Sequence, residues 1–571
     1  MTETPSTVRV EQPIYGAQQL VVRAPYELRF KLADIPGAKW SSPKKAWVYP
    51  VSAVTAASLA DVVGPAAFEG SPHAQSLLEE GLRQIHSSAS KIAAAADAGD
   101  LEPLPFPTTI PLWAHQLGMI RFAEPLRAVL WNVGMGAGKT AAAIQLIRLR
   151  KHAKTLVIAP LSVVPAWAKQ ASIHAPNAVT VVALNEGPTP VRALLALNAW
   201  QKGTPEKPVI VVTNYECGWS KHFQTAISQV KNGLDMMIAD ECHRLKAPGG
   251  KQSVAYSKIS AEVPYKLGLS GTPLPNSPMD GYGIFRFLDP GIFGRSFVAF
   301  RTRYAKMGGF QGKQVIGYQN KDDFARRIAP FTYEVDRSVL DLPPSTHLER
   351  VFELNPEAMA IYKAVRDEFI ASVDAGKVTV TNALTKLLRL SQIASGSVGL
   401  DLSIDDYDEE GGAKDREVRE IHTQKQEILR EILEEIDPKE PVVVFARFKN
   451  DLEQIRKAAQ GLGGVAELSG SKNELAAWQT DGGPRVLAAQ IQSGAEGIDL
   501  TRACYCVYFS KDYSRGRYLQ SLARSDRPGQ TRPVTYIHII AEKTTDRLIM
   551  KALDKKGALI EEVLEEIRRW S

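Results

Sequence analysis

No apolar run in this 571-residue chain is long enough to cross a bilayer. The opening residues, Met1-Thr2-Glu3-Thr4-Pro5, lack the basic and apolar regions of a secretory leader, so a cytoplasmic protein is expected. Cysteine is scarce, with only Cys217, Cys242, Cys504 and Cys506, and none forms a CxxC pair. A zinc site is therefore not expected, and a reducing compartment suits all four thiols. Cys504 and Cys506 alternate on an apolar segment and are expected to face one side of a strand as small core residues. Neither sign of charge dominates: 69 Lys and Arg stand against 63 Asp and Glu, a formal net charge of +6. That balance is compatible with a local nucleic-acid groove but does not establish one, because the field depends on clustering. No short repeat is apparent. The hydrophobic and charged fractions are those of an ordinary globular chain, and the length implies roughly three to five domains.

What is present is a phosphate-binding pattern. Gly134-Met135-Gly136-Ala137-Gly138-Lys139-Thr140 follows the apolar Ala128-Val129-Leu130-Trp131 and precedes the helical Ala141-Ala142-Ala143-Ile144-Gln145-Leu146-Ile147. In a strand, glycine-rich turn and helix, backbone N–H groups converge on an anion and the helix N-terminus adds positive potential. Lys139 would neutralise the β- and γ-phosphates, and the Thr140 hydroxyl would hold Mg²⁺. Val133 occupies the first glycine position of the strict pattern. The competing reading is a glycine-rich αβ turn carrying a surface lysine.

Residues 1–60 read as a small β-rich unit, with a tight hairpin between Ile35-Pro36-Gly37-Ala38-Lys39-Trp40 and Lys45-Ala46-Trp47-Val48-Tyr49-Pro50. Residues 72–100 are alanine-rich and helical in pattern, and the proline-punctuated stretch from Leu101 to Pro107 reads as a linker. From about 110 to 290 apolar runs alternate with helical segments: Thr155–Ala159, Val209–Thr213, Met236–Ala239 and Leu267–Ser270. A second series begins near 441 with Val442–Phe445, Arg485–Ala489, Tyr505–Phe509 and Val534–Ile537. Continuous apolar strands separated by helices imply parallel sheets covered on both faces. Two such sheets flank a middle region, about 291–420, with an acidic loop from Asp405 to Gly412.

Two further clusters carry chemistry. Asp240 and Glu241 follow the apolar Ile238-Ala239. An aspartate at a strand end downstream of a phosphate loop is placed to hold Mg²⁺ through water, and the adjoining glutamate to orient or deprotonate the attacking water. Acidic residues also end strands for purely local reasons. Arg524 and Arg527 lie three apart in Gln520–Gln530, so they are expected to share one helical face. Such a pair can stabilise charge on a transferring phosphoryl group; a solvated basic helix is the alternative.

The ordered motifs resemble a Swi/Snf-type superfamily 2 helicase-like ATPase. Leu112–Gln116 resembles the motif in which Gln116 reads adenine, and Met135–Thr140 resembles the first helicase motif. Ala159–Trp167, including Pro160, and Thr213-Asn214-Tyr215-Glu216 resemble segments that touch the DNA backbone. Asp240-Glu241-Cys242-His243-Arg244-Leu245-Lys246 resembles the DEAH-box with its extension, and Leu269–Asn276 resembles the motif coupling the ATP site to the track. Gln492–Leu500, with Ser493, Gly494, Gly497 and Asp499, and the Gln520–Gln530 stretch complete the set; Asp341-Leu342-Pro343-Pro344 with Tyr362 fits the linker. Three departures stand out: Cys242 replaces a small residue, Asp526 a frequent histidine, and Tyr333-Glu334 paired arginines.

The resemblance implies an α/β fold with two RecA-like parallel-sheet lobes, helical insertions between them and a small N-terminal β-rich unit. The implied boundaries are 1–60, a HARP-like unit; 61–108, a helical linker; 109–290, lobe 1; 291–420, insertions and linker; 421–571, lobe 2. ATP and Mg²⁺ are the implied cofactors. Gln116, Gly134, Met135, Gly136, Ala137, Gly138, Lys139, Thr140, Gly497 and Asp499 would bind nucleotide, and Thr140 and Asp240 the metal. Lys139, Asp240, Glu241, Arg524 and Arg527 would be catalytic. Pro160, Thr213, Asn214, Ser493 and Gly494 would contact nucleic acid. The implied activity is ATP-driven movement on duplex DNA with remodelling or annealing of branched DNA. Strand separation on DNA or RNA, and a non-hydrolysing scaffold, are the competing readings. In the N-terminal unit, Trp40, Trp47, Lys39, Lys44 and Lys45 interleave aromatics with positive charge, which suits stacking on unpaired bases; a small core built on the tryptophans is the alternative.

Overall fold

The computed structural model describes residues 6–11, 18–86, 89–271, 277–308, 314–374, 380–399, 418–494 and 498–554. The acidic loop, Thr272–Asn276 and Gly497 lie outside them. The chain forms two units, Met1–Val339 and Leu340–Ser571.

The first unit opens with a four-stranded antiparallel sheet. Its strands are β1 (Thr7–Glu11), β2 (Gln19–Arg23), β3 (Lys39–Ser41) and β4 (Ala46–Pro50), in spatial order β1-β2-β4-β3. The expected hairpin is β3–β4, with Trp40 paired to Trp47 and Lys45 in a left-handed conformation (φ 48°). Helices Ala53–Val63 and Pro72–His86 close a core of Val8, Leu20, Val22, Phe68, Leu77 and Leu78. The second of these helices lies in the stretch expected to be a linker, but its apolar face supplies core. Polar links tie this portion to the α/β sheet of the same unit: Arg127 Nε to Glu80 at 2.9 Å, and the Ser52 hydroxyl donating to Asp289 at 3.0 Å.

The α/β sheet has seven parallel strands. They are β5 (Ala128–Val133), β6 (Lys154–Ala159), β7 (Thr180–Leu184), β8 (Val209–Asn214), β9 (Met236–Asp240), β10 (Tyr265–Ser270) and, after the short hairpin β11 (Ala305–Gly308) and β12 (Gln314–Tyr318), β13 (Thr332–Val335). The spatial order is β13-β5-β10-β9-β6-β8-β7. Leu156, Val157, Ile210, Val211, Met237 and Ile238 are fully buried, as expected of strands with helices on both faces. β5, β10 and β9 are neighbours, so their carboxyl ends open at one place on the sheet. Ile292, Phe293, Phe300, Tyr304, Phe324 and Phe331 pack onto this sheet in an aromatic-rich cluster in which Phe293 stacks on Phe324 at 5.1 Å.

The second unit is a six-stranded parallel sheet. Its strands are β14 (Thr346–Phe352), then, after the two-stranded β15 (Ser397–Gly399) and β16 (Val418–Glu420), β17 (Val442–Ala446), β18 (Val465–Leu468), β19 (Val486–Gln490), β20 (Tyr505–Tyr508) and β21 (Thr535–Ala541). Their order is β14-β21-β20-β17-β19-β18. Cys504 and Cys506 are buried free thiols. The 291–420 segment, expected to be insertion and linker, thus supplies an edge strand to each sheet, β13 to the first and β14 to the second. β13 is half-buried and β14 is exposed along almost its whole length, and both lack the all-apolar signature of central strands.

Candidate nucleotide site and its surroundings

The turn after β5 has the geometry that its glycines permit. Gly136 and Gly138 have φ of 85° and 75°, a region that costs an L side chain energy. A Cβ on Gly138 would come within 2.0 Å of the Gln116 amide nitrogen, and one on Gly134 would meet Arg337 at 3.2 Å. Met135 and Ala137 are buried, anchoring the loop from below. Gly138 then caps the helix Lys139–Leu149, with Thr140 in its first turn. Lys139 donates from Nζ to the Val133 carbonyl at 2.9 Å and to the Gly134 carbonyl at 3.2 Å, so its ammonium lies inside the loop.

Gln116 sits behind this loop. Its Oε1 accepts from the Trp113 N–H at 3.0 Å, and its Nε2 lies 3.4 Å from the Ala137 carbonyl. His115 Nε2 also reaches that carbonyl, at 3.0 Å. Trp113, about half exposed, tilts against His115 at 5.4 Å. The side chain expected to read adenine is therefore also a brace for the phosphate loop.

Asp240 ends β9 and is buried. Burial, then the neighbouring Glu241 charge, push its carboxyl up to about 6, opposed by the Trp167 hydrogen bond and by Lys139. Its Oδ2 accepts from the Trp167 indole N–H at 2.9 Å, and its Oδ1 from the Glu241 N–H at 3.0 Å. Glu241 is left-handed (φ 52°), a strained backbone of the kind found at functional sites. Its Oε2 lies 3.3 Å from His243 Nδ1. Gly271, following β10, packs on the loop: a Cβ there would lie 2.6 Å from Met135 and 3.4 Å from Lys139 Nζ. Cys242 is buried against Gly268, which accounts for a residue larger than usual at that position. Tyr333 is buried and its hydroxyl occupies the space beside Gly118, while Glu334 accepts from Asn132 at 2.9 Å.

The structure thus brings Gln116, Gly134, Met135, Gly136, Ala137, Gly138, Lys139, Thr140, Asp240 and Glu241 into one unit around the carboxyl ends of β5, β9 and β10. Two adjoining carboxylates, one desolvated and raised in pKa, fit a divalent cation, which would relieve the cost of ionising Asp240.

The segments expected to touch nucleic acid are less open than their motifs suggest. Pro160 is buried, with Leu161 and Ser162 exposed just beyond it. Thr213 is fully buried, and Asn214 nearly so. Arg192, itself buried, donates to Thr213 Oγ1 at 2.9 Å and Asn214 Oδ1 at 2.6 Å, and also reaches the Leu184 carbonyl. Their side chains therefore hold the end of β8.

In the second unit, the helix Arg515–Ser525 carries Arg524 but ends before Arg527. The shared helical face expected from the spacing is corrected: Pro528 disfavours helix at the residue before it, and Asp526 is already the C-cap. Arg527 instead donates to the Ile498 carbonyl at 3.2 Å and lies 3.9 Å from Asp499. Ser493 and Gly494 close the short helix Ile491–Gly494, and Asp499 accepts from Thr501. In the N-terminal sheet, Trp40 is 55% exposed and meets the partly buried Trp47 edge-on at 5.6 Å, so the two tryptophans divide between surface and core. Tyr26 and Phe30 are more exposed still, with the Arg29 guanidinium 3.9 Å and 4.2 Å from their ring centres.

A parallel sheet with this loop and this strand-end acid pair defines a nucleoside-triphosphate hydrolase. Residues 128–396 match the SNF2-related domain. The chain is 28% identical over 470 residues to "Putative protein p41" of Acyrthosiphon pisum secondary endosymbiont phage 1, covering 78% of this chain and 95% of that protein. It is 23% identical over 439 residues to the DNA repair and recombination protein RDH54 of Saccharomyces cerevisiae, covering 72% of this chain and 46% of that protein. It is 22% identical to an uncharacterized ATP-dependent helicase of Mycoplasma pneumoniae, covering 76% of this chain and 40% of that protein. The chain therefore spans under half the length of the yeast and Mycoplasma relatives. The Sulfolobus solfataricus SWI2/SNF2 ATPase core in complex with dsDNA is 22% identical, covering 81% of this chain and 95% of that one, with a TM-score of 0.36. Residues 128–396 thus carry the SNF2-related domain, and the similarities support an ATP hydrolase of the nucleic-acid-dependent class.

Proposed function

We propose that this protein is an ATP-driven translocase on duplex DNA that remodels or anneals branched DNA. The observation that carries the reading is the site at the ends of β5, β9 and β10, where Lys139, Asp240 and Glu241 stand together beside segments of the DNA-contacting type. The yeast relative, a DNA repair and recombination protein, supports DNA as the track.

In this reading Lys139 leaves the loop carbonyls to neutralise the terminal phosphates, and the loop amides cradle them. Thr140 and Asp240 would hold Mg²⁺, which supplies charge neutralisation on the phosphates when bound. Glu241 orients the attacking water and accepts its proton. Arg524 and Arg527 supply positive charge to the transferring phosphoryl group. Gly497 and Asp499 help sense the nucleotide state, and the segments that include Pro160, Thr213, Asn214, Ser493 and Gly494 grip phosphates. Such contacts are salt-dependent and weakly sequence-selective. The exposed Tyr26, Phe30 and Trp40, with Arg29, Lys39 and Lys45, suit stacking on unpaired bases at a junction, as a HARP-like unit would.

The test is an ATPase titration against single-stranded, double-stranded and branched DNA and against RNA, beside triplex displacement and forked-duplex unwinding. The expected result is stimulation by duplex and branched DNA with triplex displacement. Forked-duplex unwinding without triplex displacement, or stimulation by RNA alone, overturns it.

A further inference from the structure

Asp240 is held at two atoms by side chains that follow β6 and β8. Trp167 lies on the helix Val164–His174, which begins directly after the Pro160–Val163 turn. Its ring is wholly buried, and an indole N–H can only donate. It donates to the carboxylate of Asp240 at 2.9 Å. Tyr215 begins where β8 ends, immediately after Asn214. It too is wholly buried, and its hydroxyl donates at 2.8 Å to the backbone carbonyl of Asp240. Tyr256 donates to the Tyr215 carbonyl at 2.5 Å, and Arg192 fixes Thr213 and Asn214 just before it.

The two bonds do different things. Trp167 sets the position of the carboxylate that would hold the metal. Tyr215 sets the plane of the peptide joining Asp240 to Glu241. Because Glu241 is held left-handed, the direction of its carboxylate depends on that plane. Neither ring can touch a track, but each is one rigid step from a segment of the track-contacting type.

We infer that Trp167 and Tyr215 are positioning residues that transmit the seating of a nucleic-acid backbone on residues 160–163 and 213–216 to Asp240 and Glu241. This rests on the DNA-driven reading above. When a phosphate backbone moves either segment, the shift reaches Asp240 through a hydrogen bond and not through loose packing.

The test uses the full chain with Trp167→Phe and Tyr215→Phe, which keep an aromatic ring and remove the donor. ATPase is measured with and without duplex DNA, DNA affinity by anisotropy, and Mg²⁺-dependent binding of a fluorescent ATP analogue directly. Loss of a hydrogen bond to a charged group predicts a fall in the DNA-stimulated kcat of about tenfold or more for Trp167→Phe. DNA affinity and the KM for ATP should stay within about twofold, and the Mg²⁺ needed for half-maximal analogue binding should rise. Tyr215→Phe should lower the stimulated kcat without changing the Mg²⁺ requirement, and it carries the test alone if Trp167→Phe does not fold. A parent stimulated by DNA, with variants stimulated equally, overturns this inference alone. A parent that DNA does not stimulate overturns the DNA-driven reading and this inference with it.

Discussion

Replacing Asp240 by asparagine should stabilise the nucleotide-free protein while abolishing hydrolysis. The Asp240 carboxyl is pushed from 3.8 to about 6 by burial and by Glu241. At 1.36 kcal/mol per pH unit, ionised Asp240 costs the fold about 3 kcal/mol. The folded value lies above the unfolded one. The protonated form therefore contributes stability that is complete below about pH 4 and is lost as pH rises through about 6. Asparagine carries no charge at any of these pH values, but it has one acceptor atom where Trp167 and Glu241 now use two. Losing one such bond costs about 1–1.5 kcal/mol. The net expectation for Asp240→Asn is a gain of about 1–2 kcal/mol above pH 7 and a small loss near pH 4. Thermal unfolding followed by tryptophan fluorescence, metal- and nucleotide-free, from pH 5 to 8 measures it. Trp131, Trp167 and Trp200 are all buried in the first unit and report its transition. The advantage of the variant should grow with pH across that range. With Mg²⁺ and ATP added, the order should reverse, because ligand binding stabilises only the parent. An asparagine variant that is less stable throughout, with no pH trend, would refute the view that Asp240 is an ionised, cation-seeking group.

Lys139→Ala and Glu241→Gln should each lower DNA-stimulated phosphate release by a factor on the order of 100 or more, the scale of electrostatic contributions at such sites; near-parental turnover removes them from the mechanism. Arg527→Ala should leave ATP binding intact in an equilibrium titration and abolish hydrolysis, and loss of binding would show that the residue has another role. Gly138→Ala should weaken nucleotide binding and lower the melting temperature, since the new methyl would be left-handed and would press on the Gln116 amide. Unchanged affinity and stability in that variant would mean that the loop relaxes freely.

The two sheets and the phosphate loop were legible because their signals are local. A buried parallel strand must be apolar along its whole length, and a loop that wraps a phosphate needs glycines at fixed places; both facts are written in consecutive residues. β7, β13, β14 and β18 escape the sequence reading. All four lie at a sheet edge; Glu334, Glu349 and Glu467 interrupt three of them, whereas β7 carries a short apolar run, Val181 to Leu184, that is no different from a helix segment in sequence. The helical face drawn through Arg524 and Arg527 failed on a single residue, Pro528, whose restriction on its predecessor outweighs any spacing rule. The site shows the same division. Lys139, Asp240 and Glu241 can be read from chemistry and order alone. What holds them cannot: Trp167 lies 73 residues from Asp240, Arg192 lies 21 and 22 from the side chains it clamps, and His115 lies 22 from the carbonyl it braces. A buried tryptophan, arginine or histidine looks the same in sequence whether it fills core or steers a carboxylate. Only the fold shows that residues following β6 and β8, on one side of Asp240's strand, hydrogen-bond to its carboxylate and its carbonyl.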